Sequence, residues 1–289
     1  MKQRLLTTFI GVPLVLCVIY LYYTPVYDLV LLAACLVGYG EAFRAYRQKH
    51  DLVLQLTVSL VTAVWFAGKS FRVDALQTEL CKSVLWLVLL TVLILYVLKN
   101  FTQITMTKTA GAFLLCGLLF FCVSTVIGWK QAYLFEKYGY LGAFLFLLSL
   151  AYAWGGDGLA LLVGKAFGKR KLCPSISPNK TVAGAFGAPL GSVLFGLLFL
   201  WIYSLLMPSL QPDALLTISP KVCLLTAVIG IPASLLGMGG DLFFSCIKRQ
   251  AGIKDYGTLF PGQGGIFDRF DSVIPVCAFV AVCIRAINI

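Results

Sequence analysis

The chain has 289 residues, 60% of them hydrophobic and 12% charged, with a mean hydropathy of +0.92. Soluble domains carry about 25% charged residues and could not hide this much apolar surface; the apolar segments run continuously rather than alternating, which argues against a β-barrel. The class that remains is an all-α, polytopic integral membrane protein, and the net charge of +11 fits basic loops beside anionic lipid rather than a nucleic-acid partner.

A spanning helix needs about 20 apolar residues. In chain order, about nine transmembrane helices are predicted: 5–23, 27–43, 52–68, 83–98, 110–128, 140–162, 182–206, 222–243 and 272–288. The first follows a basic start like that of a signal peptide, but it is too long and has no small-x-small cleavage pattern, so it is expected to be a retained span. With the N-terminus in the cytoplasm, 16 Lys and Arg fall on the cytoplasmic side and 7 on the other. That asymmetry predicts an N-in, C-out topology. The chain divides into N-terminal membrane helices (1–109), middle helices with a basic cytoplasmic loop (110–181), and C-terminal helices carrying most of the acids of interest (182–289).

Ten cysteines are scattered, mostly inside apolar runs, without a C-x-x-C pair; they are expected to be small buried hydrophobes. His50 is the single histidine. That removes histidine metal clusters and His-dependent hydrolase chemistry.

Two polar segments fall on the expected cytoplasmic face. The first begins at Asp157, still inside an apolar span, where an ionisable group costs about 2.5–3.5 kcal/mol at the helix centre. It continues through Lys165, Lys169, Arg170 and Lys171 to Ser177, Asn179, Lys180 and Thr181. Glycines, lysines and hydroxyls before a helix suit phosphate oxygens; a basic loop touching lipid headgroups accounts for them equally well. The second segment places Asp241, Ser245, Lys248 and Arg249 on one helical face. It then passes Lys254 and the glycine-rich stretch Gln263, Gly264, Gly265 to Asp268, Arg269 and Asp271. Asp268 and Asp271, at i and i+3, are expected to share a face at the start of the last span. One acid would cap that helix. Capping does not explain two acids with a third, Asp241, on the preceding span. A hard cation such as Mg²⁺ takes carboxylate and phosphate oxygens together. Asp241, Asp268 and Asp271 with nearby Lys and Arg therefore suit a nucleoside triphosphate.

At these residues the chain resembles the phosphatidate cytidylyltransferase (CDP-diacylglycerol synthase) family. That family's S-x-x-K-R, K-D, P-G-H-G-G and D-R-x-D pattern is matched by Ser245, Lys248, Arg249, Lys254, Asp255, Pro261, Gly262, Gly264, Gly265, Asp268, Arg269 and Asp271. Its other segment is similar to Asp157, Ala160, Gly164, Lys165, Gly168, Lys169, Pro174, Ile176, Ser177, Pro178, Lys180 and Thr181. The resemblance implies a nucleotidyltransferase that joins CTP and phosphatidic acid, giving CDP-diacylglycerol and pyrophosphate. It further implies Mg²⁺ with K⁺ beside it, a homodimer, and a bacterial inner membrane with the active site facing the cytoplasm. The aspartates matching its metal site are Asp241 and Asp268, with Asp271 close by. Gln263 departs from the pattern, standing where the family has histidine. The nucleophile is a phosphate monoester with a second pKa of about 6, so it needs no base, and glutamine still supplies one hydrogen bond.

Three other readings compete. Intramembrane Asp157 and Asp241 would also fit a transporter or channel, but the polar groups crowd one face instead of the midplane. A CDP-alcohol phosphotransferase needs an arginine and further acids after Asp157, which are missing. A lipid-binding homologue without turnover would be separated from an enzyme by nucleotide binding with and without Mg²⁺.

Overall fold

A computed structural model describes residues 20–46, 52–71, 79–99, 106–133, 141–210 and 219–287. Helices dominate: α1 (Pro25–Ala45), α2 (Leu52–Ser70), α3 (Glu79–Lys99), α4 (Met106–Tyr133), α5 (Leu141–Phe167), α6 (Val182–Leu210), α7 (Pro220–Gln250), α8 (Phe267–Phe270) and α9 (Val273–Ile287). Among the described residues six helices are long and apolar enough to cross a membrane, within α1, α2, α4, α5, α6 and α7; α3 and α9 hold shorter apolar stretches. The candidate span at 5–23 lies outside the described residues.

Local chemistry sets several boundaries. Thr24 precedes Pro25 and Ser219 precedes Pro220, each placing proline in the first turn, where its missing N–H costs nothing. Ser219 Oγ accepts from the Val222 N–H at 3.3 Å, and Thr181 Oγ1 accepts from the Gly184 N–H at 3.1 Å, so both start a helix as side-chain caps. Helix α7 ends at Ala251 followed by Gly252 at φ +68°, a left-handed stop that favours glycine.

Two findings differ from expectation. The basic segment is not a plain loop: Lys171–Cys173 (β1) and Ser177–Thr181 (β2) pair antiparallel, with Lys171 opposite Thr181 and Cys173 opposite Ser177. Asp268 and Asp271 do not share one helix. Asp268 lies in the single turn α8, Asp271 lies in the turn at 271–272, and α9 starts only at Val273.

The chain falls into two compact units. The described residues within Met1–Val123 and Ile253–Asp268 form one; those within Ser124–Gly252 and Arg269–Ile289 form the other. In the first, Tyr39 and Thr62 join α1 to α2 through a hydroxyl–hydroxyl hydrogen bond of 3.0 Å.

In the second, α5 and α6 approach closely through small residues. A Cβ at Gly184 would stand 2.6 Å from the Ala160 carbonyl oxygen, one at Gly187 2.8 Å from Val163 Cβ, and one at Gly191 would overlap the Gly155 carbonyl. Lipid gives helices no hydrophobic reason to associate, so close backbone approach at small residues has to supply the packing. Buried hydroxyls add to it: Ser192 donates to the Tyr152 carbonyl at 2.6 Å, and the Tyr152 hydroxyl donates to the Thr226 carbonyl at 2.7 Å. The outward faces keep large apolar side chains exposed, Phe186 at 81% for example, as a lipid-facing surface requires.

Candidate functional site

The second unit gathers a charged cluster on α5, β2, α7 and the turn before α9. Asp241 sits on α7 just after Gly237 and Gly240, where α7 meets the start of α9. A Cβ at Gly240 would lie 2.5 Å from the Asp271 carbonyl oxygen and 2.6 Å from Pro275 Cγ. That small-residue contact brings the α7 acid beside the turn acid. Lys180, the penultimate residue of β2, reaches across: its Nζ is 2.8 Å from Asp241 Oδ2 and donates to the Met238 carbonyl at 3.3 Å. Ser245, one turn along α7, donates to Asp241 Oδ1 at 3.2 Å. Asp157 on α5 accepts a hydrogen bond from the Ser272 hydroxyl and feels the charges of both Asp241 and Lys180.

Asp271 is 8% exposed, and its Oδ1 accepts from the Ser272 N–H at 2.8 Å. Burial first, then the Asp241 carboxylate, push the Asp271 carboxyl up to about 8, against the pull of Lys248 and the Ser272 N–H. Three acids and two lysines thus share one neighbourhood. Arg249 donates to the Ile176 carbonyl at 3.4 Å, tying the end of α7 to the hairpin turn. Lys165, Lys169, Arg170, Lys171, Asn179 and Arg269 are exposed, and Ser177 is half-buried. The Arg269 carbonyl accepts from Trp154 Nε1 at 3.4 Å. Thr181 is buried and spends its hydroxyl oxygen on the α6 cap.

The remaining expected residues lie in the first unit. Asp268 Oδ2 accepts from the Tyr256 N–H at 2.7 Å and from the Gly265 N–H at 2.9 Å. Between these points the chain turns tightly. The Phe260 N–H donates to the Gly264 carbonyl at 2.8 Å, the Gln263 N–H donates to the Phe260 carbonyl at 2.8 Å, and Gly262 and Gly264 take φ +73° and +89°. At Gly264 a side chain would be strained in its backbone and would also crowd the Asp268 carboxylate. Lys254 is exposed and Gln263 half-buried.

Sequence reasoning missed Glu41. It is 1% exposed near the end of α1, and its two carboxylate oxygens accept from the consecutive N–H groups of Ile266 (3.1 Å) and Phe267 (3.3 Å). The available signal was an acid at the end of an apolar run, in "GYGEAFRAY". Its partners, 225 residues further on, could not be read from that stretch.

The donor set can be tested against a divalent cation. Asp157, Asp241 and Asp271 carry hard oxygen donors that repel one another, and a cation would relieve the repulsion that adds to burial in raising the Asp271 carboxyl. Among the described residues no three His, Cys, Asp or Glu side chains form a ready-made metal site. One or two carboxylates is the number Mg²⁺ commonly takes from protein when phosphate and water complete its shell. The residues present fit that use.

Fold and site together define an integral-membrane protein with acids and lysines gathered at helix ends, a setting suited to phosphate chemistry. The chain matches the model of the cytidylyltransferase family over residues 2–287 and belongs to that family. It is 31% identical over 296 residues to the phosphatidate cytidylyltransferase of Haemophilus influenzae, covering 96% of each chain. Over shorter stretches it is 39% identical to the Bacillus subtilis phosphatidate cytidylyltransferase (44% of this chain, 42% of the relative). It is also 37% identical to an uncharacterised Escherichia coli protein (46% and 40%).

Proposed function

We propose that the protein is a phosphatidate cytidylyltransferase. A lipid phosphate oxygen attacks the α-phosphorus of CTP, the bond from that phosphorus to the bridging oxygen breaks, and pyrophosphate leaves with the electron pair. The products are CDP-diacylglycerol and pyrophosphate. The observation that carries this reading is membership of the cytidylyltransferase family across nearly the whole chain.

The nucleophile is largely dianionic at neutral pH, so the protein's task is positioning and charge stabilisation. Lys180 and Lys248 supply positive charge beside the acids. Ser245 and Lys180 hold the Asp241 carboxylate, and Ser272 orients Asp157. Arg249 keeps the hairpin against α7, and the hairpin's exposed Lys171 would suit a lipid phosphate. Gln263 stays at its place in the glycine turn and offers an amide where the family has an imidazole. Mg²⁺ held by Asp241 and Asp271 would neutralise triphosphate charge and polarise the phosphoryl oxygens. Asp268 remains the other candidate ligand, by resemblance. K⁺ dependence, a homodimer, and a bacterial inner-membrane location with a cytoplasm-facing site belong to the same proposal. The excess of basic residues on one side supports the orientation.

The test is CDP-lipid formation by purified protein in phospholipid micelles from CTP and phosphatidic acid, with ATP in place of CTP and metal-free buffer as controls. No product in Mg²⁺ and K⁺ overturns the reading. An Asp268→Asn variant that keeps full Mg²⁺-dependent activity removes Asp268 from the metal assignment.

A further inference from the structure

We infer that Glu41 is a positioning residue for the glycine-rich segment 254–268, acting through paired backbone hydrogen bonds and never touching substrate. The inference rests on the proposed function, because that segment carries Lys254, Gln263 and Asp268.

A carboxylate buried near the end of a membrane helix is costly unless its oxygens are satisfied. Here they are satisfied by the Ile266 and Phe267 N–H groups. These are successive amides at the start of the single turn that contains Asp268. Two adjacent N–H groups need two acceptors, which a carboxylate has. A glutamine of the same size has one, and its NH₂ would face an N–H. The fit is reciprocal: a Cβ at Gly257 or at Gly265 would overlap the Glu41 side chain, so both glycines keep the space it fills. Asp268 then binds the other side of the same segment through the Tyr256 and Gly265 N–H groups. Residues 256–267 are thus clamped by two carboxylates, one from within the segment's end and one from α1. Arg44, a turn beyond Glu41, donates to the Gly40 carbonyl at 2.9 Å; its charge and that of Asp268 act on the Glu41 carboxylate in opposite senses, Asp268 the more strongly. A purely space-filling role would not need two acceptors aimed at two successive N–H groups.

The experiment compares full-length protein with Glu41→Gln, Glu41→Ala and Gly257→Ala in lipid. It reads amide hydrogen exchange over 254–268, together with kcat and KM for CTP and for phosphatidic acid. Glu41→Gln is expected to speed exchange at Ile266 and Phe267 by about tenfold. KM for CTP should rise by a similar factor, with KM for phosphatidic acid unchanged. Gly257→Ala, which keeps the carboxylate but displaces it, should do the same. General destabilisation would instead lower apparent kcat and leave both KM values alone. Unchanged exchange at 266–267 in both Glu41 variants overturns the inference, and so does a lowered kcat with unchanged KM. If the wild-type protein makes no CDP-lipid, the functional reading fails, while the exchange measurement still decides whether Glu41 holds the segment.

Discussion

Asp271 keeps a nearly buried carboxyl next to a second acid, and the protein bears that repulsion with Lys248 and one N–H as relief. With its carboxyl pushed up to about 8, chiefly by burial, Asp271 loses stability for the fold as pH rises from the ordinary carboxylate range towards that value, and an amide, which does not ionise, avoids the loss. Asp271→Asn is therefore expected to raise the thermal unfolding temperature in Mg²⁺-free buffer while lowering kcat by about a hundredfold or more. A variant that loses both stability and activity would give Asp271 a structural role instead. At this scale the sequence was informative where an acid interrupts an apolar run: Asp157 and Asp241 were visible for that reason, and the structure brings them into electrostatic contact. Glu41 met the same criterion but stood where the expected span already ended in charge. Only the distant partners at 266 and 267 distinguish it from an ordinary membrane-edge residue.

At the level of elements, the glycines of α6 set how near it comes to α5. Gly191→Ala would drive a methyl into the Gly155 carbonyl, which is backbone and cannot swing aside, whereas a methyl at Gly158 would meet nothing within 4 Å. The first substitution is expected to lower the unfolding temperature by several degrees, a loss of about 1–3 kcal/mol; the second should leave it unchanged. Equal behaviour of the two would mean that the α5–α6 approach is not limited by these glycines. The long helices were legible because apolar length alone announces them. The β1–β2 hairpin was not, because Ser177-Pro178-Asn179-Lys180-Thr181 has the composition of a loop and low strand propensity. Pairing with β1 and the Arg249 bond to the hairpin turn hold it in extended form. The pause between α8 and α9 was hidden for a related reason: i and i+3 spacing suggests a shared face only if the helix is continuous.

For the molecule as a whole, the proposed Mg²⁺ site predicts that stability and activity both respond to a divalent cation. Chelation should abolish CDP-lipid formation, and Mg²⁺ should restore it. Mg²⁺ should also raise the unfolding temperature of the wild-type protein in a saturable way, as a ligand bound only by the folded state does. The increment should vanish in Asp241→Asn. An increment that survives this substitution would place the cation elsewhere. The all-α membrane class was evident from composition because no soluble fold hides so apolar a chain.

The Lys180–Asp241 pair also bears on biosynthesis. Lys180 lies in β2 ahead of α6 and Asp241 lies within α7, so the cation is made before the acid leaves the ribosome. In the finished unit the α7 carboxylate has a counter-charge 2.8 Å away. An acid inserted alone would cost about 2.5–3.5 kcal/mol at a helix centre. The order of the chain thus has the counter-charge already synthesised when the helix carrying the acid is made.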